Sequence, residues 1–166
     1  MKDSESAGLA GIAGLSSLRN KPSVALVAVK QDEMILVVDD EPADLNMMRD
    51  ILVQAAYTVV TAPDANAALA LYQRHQGELY LLITDVAMSP INGCELAEKL
   101  TELNKALSVI FVSGYAGAQA MRYKRRYETP AAFLMKPFTS EQLLAQVRES
   151  PEPRKVRTAS SQQSEF

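Results

Sequence analysis

Only one cysteine, Cys94, occurs among 166 residues. No internal disulfide can form, and no Cys/His spacing resembles a zinc site. That usage fits a reducing, cytoplasmic compartment. Long hydrophobic runs are also missing: none approaches the ~20 residues that a membrane helix needs. The start, Met1-Lys2-Asp3-Ser4-Glu5, places two acids ahead of a weak Gly/Ala-rich stretch, unlike a secretory leader. Neither export nor membrane spanning is expected. Positive charge is scarce. The net charge is −3, and residues 31–150 hold 10 Lys/Arg against 16 Asp/Glu, a net of −6. Such a balance argues against binding nucleic acid.

What is present is 48% apolar residues, enough for one domain with a sizeable core and tails, but not comfortably for two. From Met34 onward, five short apolar runs alternate with five segments of helical periodicity. The runs lie at 34–38, 57–61, 79–84, 108–112 and 131–135. They lack clean two-residue alternation, so most are expected to be buried on both faces as strands of a parallel sheet, with helices covering it.

The first helix is expected to start near Pro42 and to turn Leu45, Met48, Ile51, Leu52 and Ala55 to one face. Asp64 can cap the second, which runs to about His75. The third follows Gly93 with Leu96, Ala97, Leu100 and Leu103, and the fourth falls between Ala116 and Tyr127. Thr139 and Gln142 have capping-box spacing ahead of Leu143, Leu144 and Val147 in the fifth.

These segments define a domain over residues 31–150. Residues 1–30 read as an extension or linker. Leu9, Ile12, Leu15 and Leu18 recur every three residues, which drifts about 60° per step around a helix and leaves no single apolar stripe. The stretch 24–29 fits a weakly packed linker, an added strand or a homodimer contact. The tail, 151–166, lacks the apolar content to pack and reads as disordered.

Chemistry concentrates at the ends of the runs. Asp39 and Asp40 close the first, Asp85 follows the third, Ser113 the fourth, and Lys136 the fifth, with Pro137 behind it. Taken alone, Asp39 and Asp40 also suit a pair of solvated acids capping the helix at Pro42, Lys136 a surface lysine, and Ser113 a turn residue before Gly114. Together, three carboxylates and a cation at strand ends suit a site for Mg²⁺ and a phosphoryl group, since Mg²⁺ prefers carboxylate oxygens in near-octahedral array.

Four elements in order carry a resemblance: Val37-Val38-Asp39-Asp40-Glu41; Thr84-Asp85-Val86-Ala87-Met88 with Asn92-Gly93 after it; Val112-Ser113-Gly114-Tyr115; and Phe133-Leu134-Met135-Lys136-Pro137-Phe138. With these, residues 34–149 resemble the CheY-like receiver domain of two-component response regulators, and the third and fourth elements resemble receivers attached to hybrid kinases. The resemblance implies an α/β, flavodoxin-like (βα)5 fold whose five-stranded parallel sheet runs 2-1-3-4-5 between helices on both faces, the strand order that flavodoxin and CheY share. One departure is local: Ser89 stands between Met88 and Pro90, where the family usually has proline at once.

The resemblance assigns roles. Asp85 is the phosphoacceptor, attacking a phosphohistidine of a histidine kinase or phosphotransfer protein to form an acyl phosphate. Mg²⁺ is held by Asp40, Asp85 and the Ala87 backbone carbonyl, with Asp39 acting directly or through water. Lys136 supplies the second cation, and Ser113 and Phe133 form the switch that couples the phosphoryl group to the surface of the fourth helix, fifth strand and fifth helix, where a protein target binds. Ala87 and Tyr115 occupy the positions that govern access of water, and neither orients water well, so slow dephosphorylation over many minutes is expected.

Two rivals remain open: a degenerate receiver that binds partners without phosphorylation, and an aspartyl-nucleophile Mg²⁺ phosphatase. The second wants another acid two residues after the nucleophile, where this chain has Ala87. The basic cluster Arg122, Lys124, Arg125 and Arg126 reads as a solvated helix face or a grip for an acidic partner. His75, Cys94 and Met47-Met48 read as ordinary helix residues.

Overall fold

A computed structural model of the protein describes residues 33–114 and 131–151. Nine elements follow in order: β1 (Met34–Val38), α1 (Pro42–Gln54), β2 (Thr58–Ala62), α2 (Ala65–Arg74), β3 (Leu79–Asp85), α3 (Gly93–Leu103), β4 (Ser108–Ser113), β5 (Ala131–Met135) and α4 (Ser140–Glu149). The strands form one sheet, every pairing parallel, in the order β2-β1-β3-β4-β5. The expected fold class is therefore the observed one. The fourth helical segment, the basic cluster within it, the extension 1–30 and the tail beyond Pro151 lie outside the described residues.

Alternate side chains of each strand feed two cores. Leu36, Val38, Leu82, Val109 and Phe111 pack with Ala68 and Tyr72 of α2 and with Leu96, Ala97 and Leu100 of α3. On the opposite face, Ile35, Val37, Leu81, Ile83, Ile110 and Val112 pack with Met48 and Leu52 of α1 and with Leu143 and Val147 of α4. Each fully buried Leu, Ile or Phe contributes about 1.5–3 kcal/mol of transfer free energy. β3 and β4 are buried at every position, and β1 at all but its first. β2 and β5 are only partly buried, because they are the two edges of the sheet. The run expected from Tyr57 begins one residue later, as Tyr57 belongs to the turn and donates its amide to the Leu52 carbonyl at 3.0 Å.

Helix termini follow local chemistry. Pro42 stands in the first turn of α1, and Asp64 accepts the Ala67 amide at 2.8 Å as the N-cap of α2. Asn92 and Glu95 form a capping box at α3, as Thr139 and Gln142 do at α4. Two expected core residues are corrected. Ala55 is exposed, since it is the C-cap of α1 rather than part of its inner face. Leu103 is 66% exposed: three residues past Leu100 the helix has turned about 60° off the buried stripe, and it ends there. Thr101 is the buried neighbour instead, its hydroxyl donating to the Ala97 carbonyl at 2.7 Å. Among the described residues no helix is long and apolar enough to cross a membrane.

Candidate functional site

Strand order reverses between β1 and β3, which are hydrogen-bonded neighbours with Val38 opposite Thr84. At such a switch point the helices on either side leave a crevice beyond the carboxyl ends of the strands. Asp39 and Asp40 follow β1 and Asp85 ends β3, so all three face that crevice region. Their carboxylate oxygens lie within 4.8 Å of one another. Asp39 and Asp85 are buried and Asp40 is exposed at the mouth.

The two buried acids are held by backbone and cation. One oxygen of Asp39 accepts the Glu41 amide at 2.9 Å, and the other accepts the Lys136 ammonium at 3.0 Å. Asp85 takes a long hydrogen bond, 3.4 Å, from the Ala87 amide. The Thr84 hydroxyl donates to the Asp85 carbonyl at 3.0 Å. The loop after Asp85 folds back on itself, with the amides of both Met88 and Gly93 reaching the Val86 carbonyl at 3.1 Å. Val86 and Met88 are buried while Ala87 is exposed beside the acids. The Ser89–Pro90 and Lys136–Pro137 peptide bonds are cis.

Lys136 arrives from β5. Ser113 pairs with Met135 in the β4–β5 ladder, and the Lys136 amide continues it by donating to the Ser113 carbonyl at 2.9 Å. The lysine's ammonium contacts not only Asp39 but also Asp44 of α1, at 2.7 Å. Ser113 itself is buried one residue beyond Val112, the partner of Asp85 across the sheet. Phe133 lies half-buried opposite Phe111, against the core that α2 and α3 cover.

Burial holds the Asp85 carboxyl above its ordinary value. Lys136 and the Ala87 amide oppose that rise, while the charges of Asp39 and Asp40 add to it. Burial works against the Lys136 charge, but hydrogen bonds to Asp44 and Asp39, with the charges of Asp39 and Asp85, outweigh it and raise its affinity for the proton. Among the described residues, the four acids Asp39, Asp40, Asp44 and Asp85 face a single lysine. At ~5 Å, like charges repel by on the order of 3 kcal/mol per pair near a protein surface. A hard, oxygen-preferring divalent cation matches the donor set of Asp39, Asp40 and Asp85 and their unbalanced charge.

The five residues expected at strand ends are thus gathered at one end of the sheet, with the three acids in mutual reach and Lys136 bonded to Asp39. Sequence reading missed Asp44, whose contact with Lys136 spans 92 residues. It also missed the Asn92–Glu95 capping box, although Asn followed three residues later by Glu was its signal. Tyr115 lies outside the described residues. Cys94 is half-buried against the α2–α3 core, and burial pushes its thiol up to about 11. His75 pairs with Glu78 at 2.9 Å.

Comparison with known proteins converges on one family. The response regulator receiver domain matches residues 35–148. The response regulator receiver protein CpdR of Brucella abortus is 34% identical over 117 residues, 68% of this chain and 92% of its own length. The sensor kinase CckA of the same organism is 32% identical over 115 residues, which is 69% of this chain but only 12% of that protein. The chain likewise spans 17% of the length of another two-component relative. A crystal structure of a CheY-like response regulator receiver domain protein from Methanospirillum hungatei superposes with a TM-score of 0.64 at 30% identity, covering 70% of this chain and 91% of that one.

Proposed function

Because the chain belongs to the response regulator receiver domain family, we propose that Asp85 accepts a phosphoryl group from a histidine kinase or a histidine phosphotransfer protein, in the cytoplasm, as one step of a phosphorelay. The observation that carries this reading is the gathering of Asp39, Asp40 and Asp85 within 4.8 Å, with Lys136 hydrogen-bonded to the group. A carboxylate oxygen of Asp85 attacks phosphorus, the phosphorus–nitrogen bond of the donor imidazole breaks, and an acyl phosphate remains on Asp85.

Phosphoryl transfer spreads negative charge over the equatorial oxygens, so positioning and cations supply most of the catalysis. Asp39, Asp40, Asp85 and the Ala87 carbonyl would hold Mg²⁺, which would supply positive charge to the phosphoryl oxygens. Lys136 does the same from the β5 side. Ala87 brings no acid or amide to orient water against the acyl phosphate, and Tyr115 occupies the other controlling position, so the phosphorylated form decays slowly.

The added charge of ~1.5–2 units at Asp85 biases a two-state surface. Ser113, buried at the end of β4, moves to hydrogen-bond the phosphoryl group, and Phe133 turns inward with it. The face bearing β5 and α4 then presents a changed surface to a protein target. The match to a sensor kinase supports a pathway of that kind, with this chain either a separate regulator or the receiver portion of a hybrid kinase. The test is binding of beryllium fluoride, a mimic of the phosphoryl group, followed by ¹⁹F and backbone amide resonances. Saturable binding that requires Mg²⁺ and is lost in Asp85→Asn supports the reading, and binding indifferent to both overturns it.

A further inference from the structure

Resting on the assignment of Asp85 as phosphoacceptor, we propose that Asp44 is a positioning residue that anchors Lys136 in the unphosphorylated protein and is exchanged for a phosphoryl oxygen on activation. Among the described residues, the Lys136 ammonium hydrogen-bonds Asp44 at 2.7 Å and Asp39 at 3.0 Å, and not Asp85. These carboxylates take two of the ammonium's three donors, and a phosphoryl group on Asp85, with its ~1.5–2 negative charges and several acceptor oxygens, competes with both of them for the same ammonium.

The two partners differ in what their release would leave behind. The Asp39 side chain is 0% exposed, so water cannot take the place of a departing ammonium there. That of Asp44 is 33% exposed and stands in the first turn of α1, where water and the helix dipole both favour a free carboxylate. Asp44 is also outside the group of three acids that suits a cation. It is therefore the partner that the lysine can leave at least cost. An anchor that favours only the unphosphorylated arrangement shifts the equilibrium away from the activated one by its own differential contact.

The test compares wild-type protein with Asp44→Asn and Asp44→Ala, titrated with beryllium fluoride at saturating Mg²⁺. The anchor role predicts binding about two- to fivefold tighter in both variants, the scale of one partly exposed ion pair, with the affinity for Mg²⁺ alone changed by a smaller factor. In the wild type, the Lys136 ¹⁵Nζ resonance should report the Asp44 hydrogen bond without beryllium fluoride and its loss on binding, a readout that does not depend on the variants folding. Unchanged or weaker binding in the variants, or an Asp44 contact that persists in the liganded wild type, overturns the anchor role while leaving Asp85 as acceptor. A wild type that binds no beryllium fluoride overturns the acceptor assignment and the anchor with it.

Discussion

Gly93 stands so close to Asp85 that a β-carbon on the glycine would overlap the Asp85 carbonyl oxygen. The contact joins the first residue of α3 to the last residue of β3, and the Gly93 amide closes the loop between them on the Val86 carbonyl. The backbone of the acceptor is thus set by the absence of a side chain eight positions later. Gly93→Ala is expected to destabilise the domain by about 1–3 kcal/mol, the scale of overpacking. It should also weaken beryllium fluoride binding by displacing Asp85. Urea unfolding and the titration check the two effects separately.

The raised Asp85 carboxyl fixes a pH dependence. Its folded form binds a proton more tightly than the unfolded chain, whose value is near 3.8. Stability therefore falls as pH rises from that value through the folded one, and the cost is complete above the folded value. Asp85→Asn should raise the melting temperature at pH 7 without divalent cation, with the gain shrinking as the solution is acidified below the folded value. Thermal unfolding across pH tests this, and a lower melting temperature at pH 7 would contradict it.

Lys136 gives the opposite sign. Its proton is held more tightly in the folded protein than its ordinary 10.5, so its contribution is full below that pH and is lost as pH rises through the folded value. Lys136→Met leaves the buried Asp39 charge unpaired and is expected to cost about 2–4 kcal/mol at neutral pH. The difference from wild type should shrink in strongly alkaline solution. Denaturant midpoints at neutral and alkaline pH measure it.

At the start of α3, Asn92 accepts the Glu95 amide at 2.9 Å while Glu95 accepts the Asn92 amide at 3.0 Å. Asn92→Ala should cost about 1 kcal/mol. Asn92→Asp or Asn92→Ser should restore most of it, as read by urea denaturation.

Much of this architecture is legible in the sequence. Parallel strands follow from apolar runs such as 79–84, which lack a polar face, and the capped helices from Asp64 and from Thr139 with Gln142. The acids at 39, 40 and 85 mark strand ends because each directly closes such a run. What escaped was non-local or geometric. Run composition does not separate edge strands from interior ones, so β2 and β5 read as more buried than they are. Ala55 and Leu103 lie where helices end, and periodicity has no end of its own. Asp44 meets Lys136 only because α1 and β5 converge on one crevice, a relation that no local spacing encodes.

The most direct measurement is chemical trapping of the acceptor. The protein is treated with acetyl phosphate with and without Mg²⁺, reduced with borohydride and digested, and the peptides are read by mass spectrometry. An acyl phosphate on an aspartate is reduced to homoserine, so homoserine is expected at position 85, dependent on Mg²⁺ and absent at positions 39, 40 and 44. Homoserine at one of those other acids, or none at position 85 with Mg²⁺ and donor in excess, would contradict the assignment of Asp85 as acceptor.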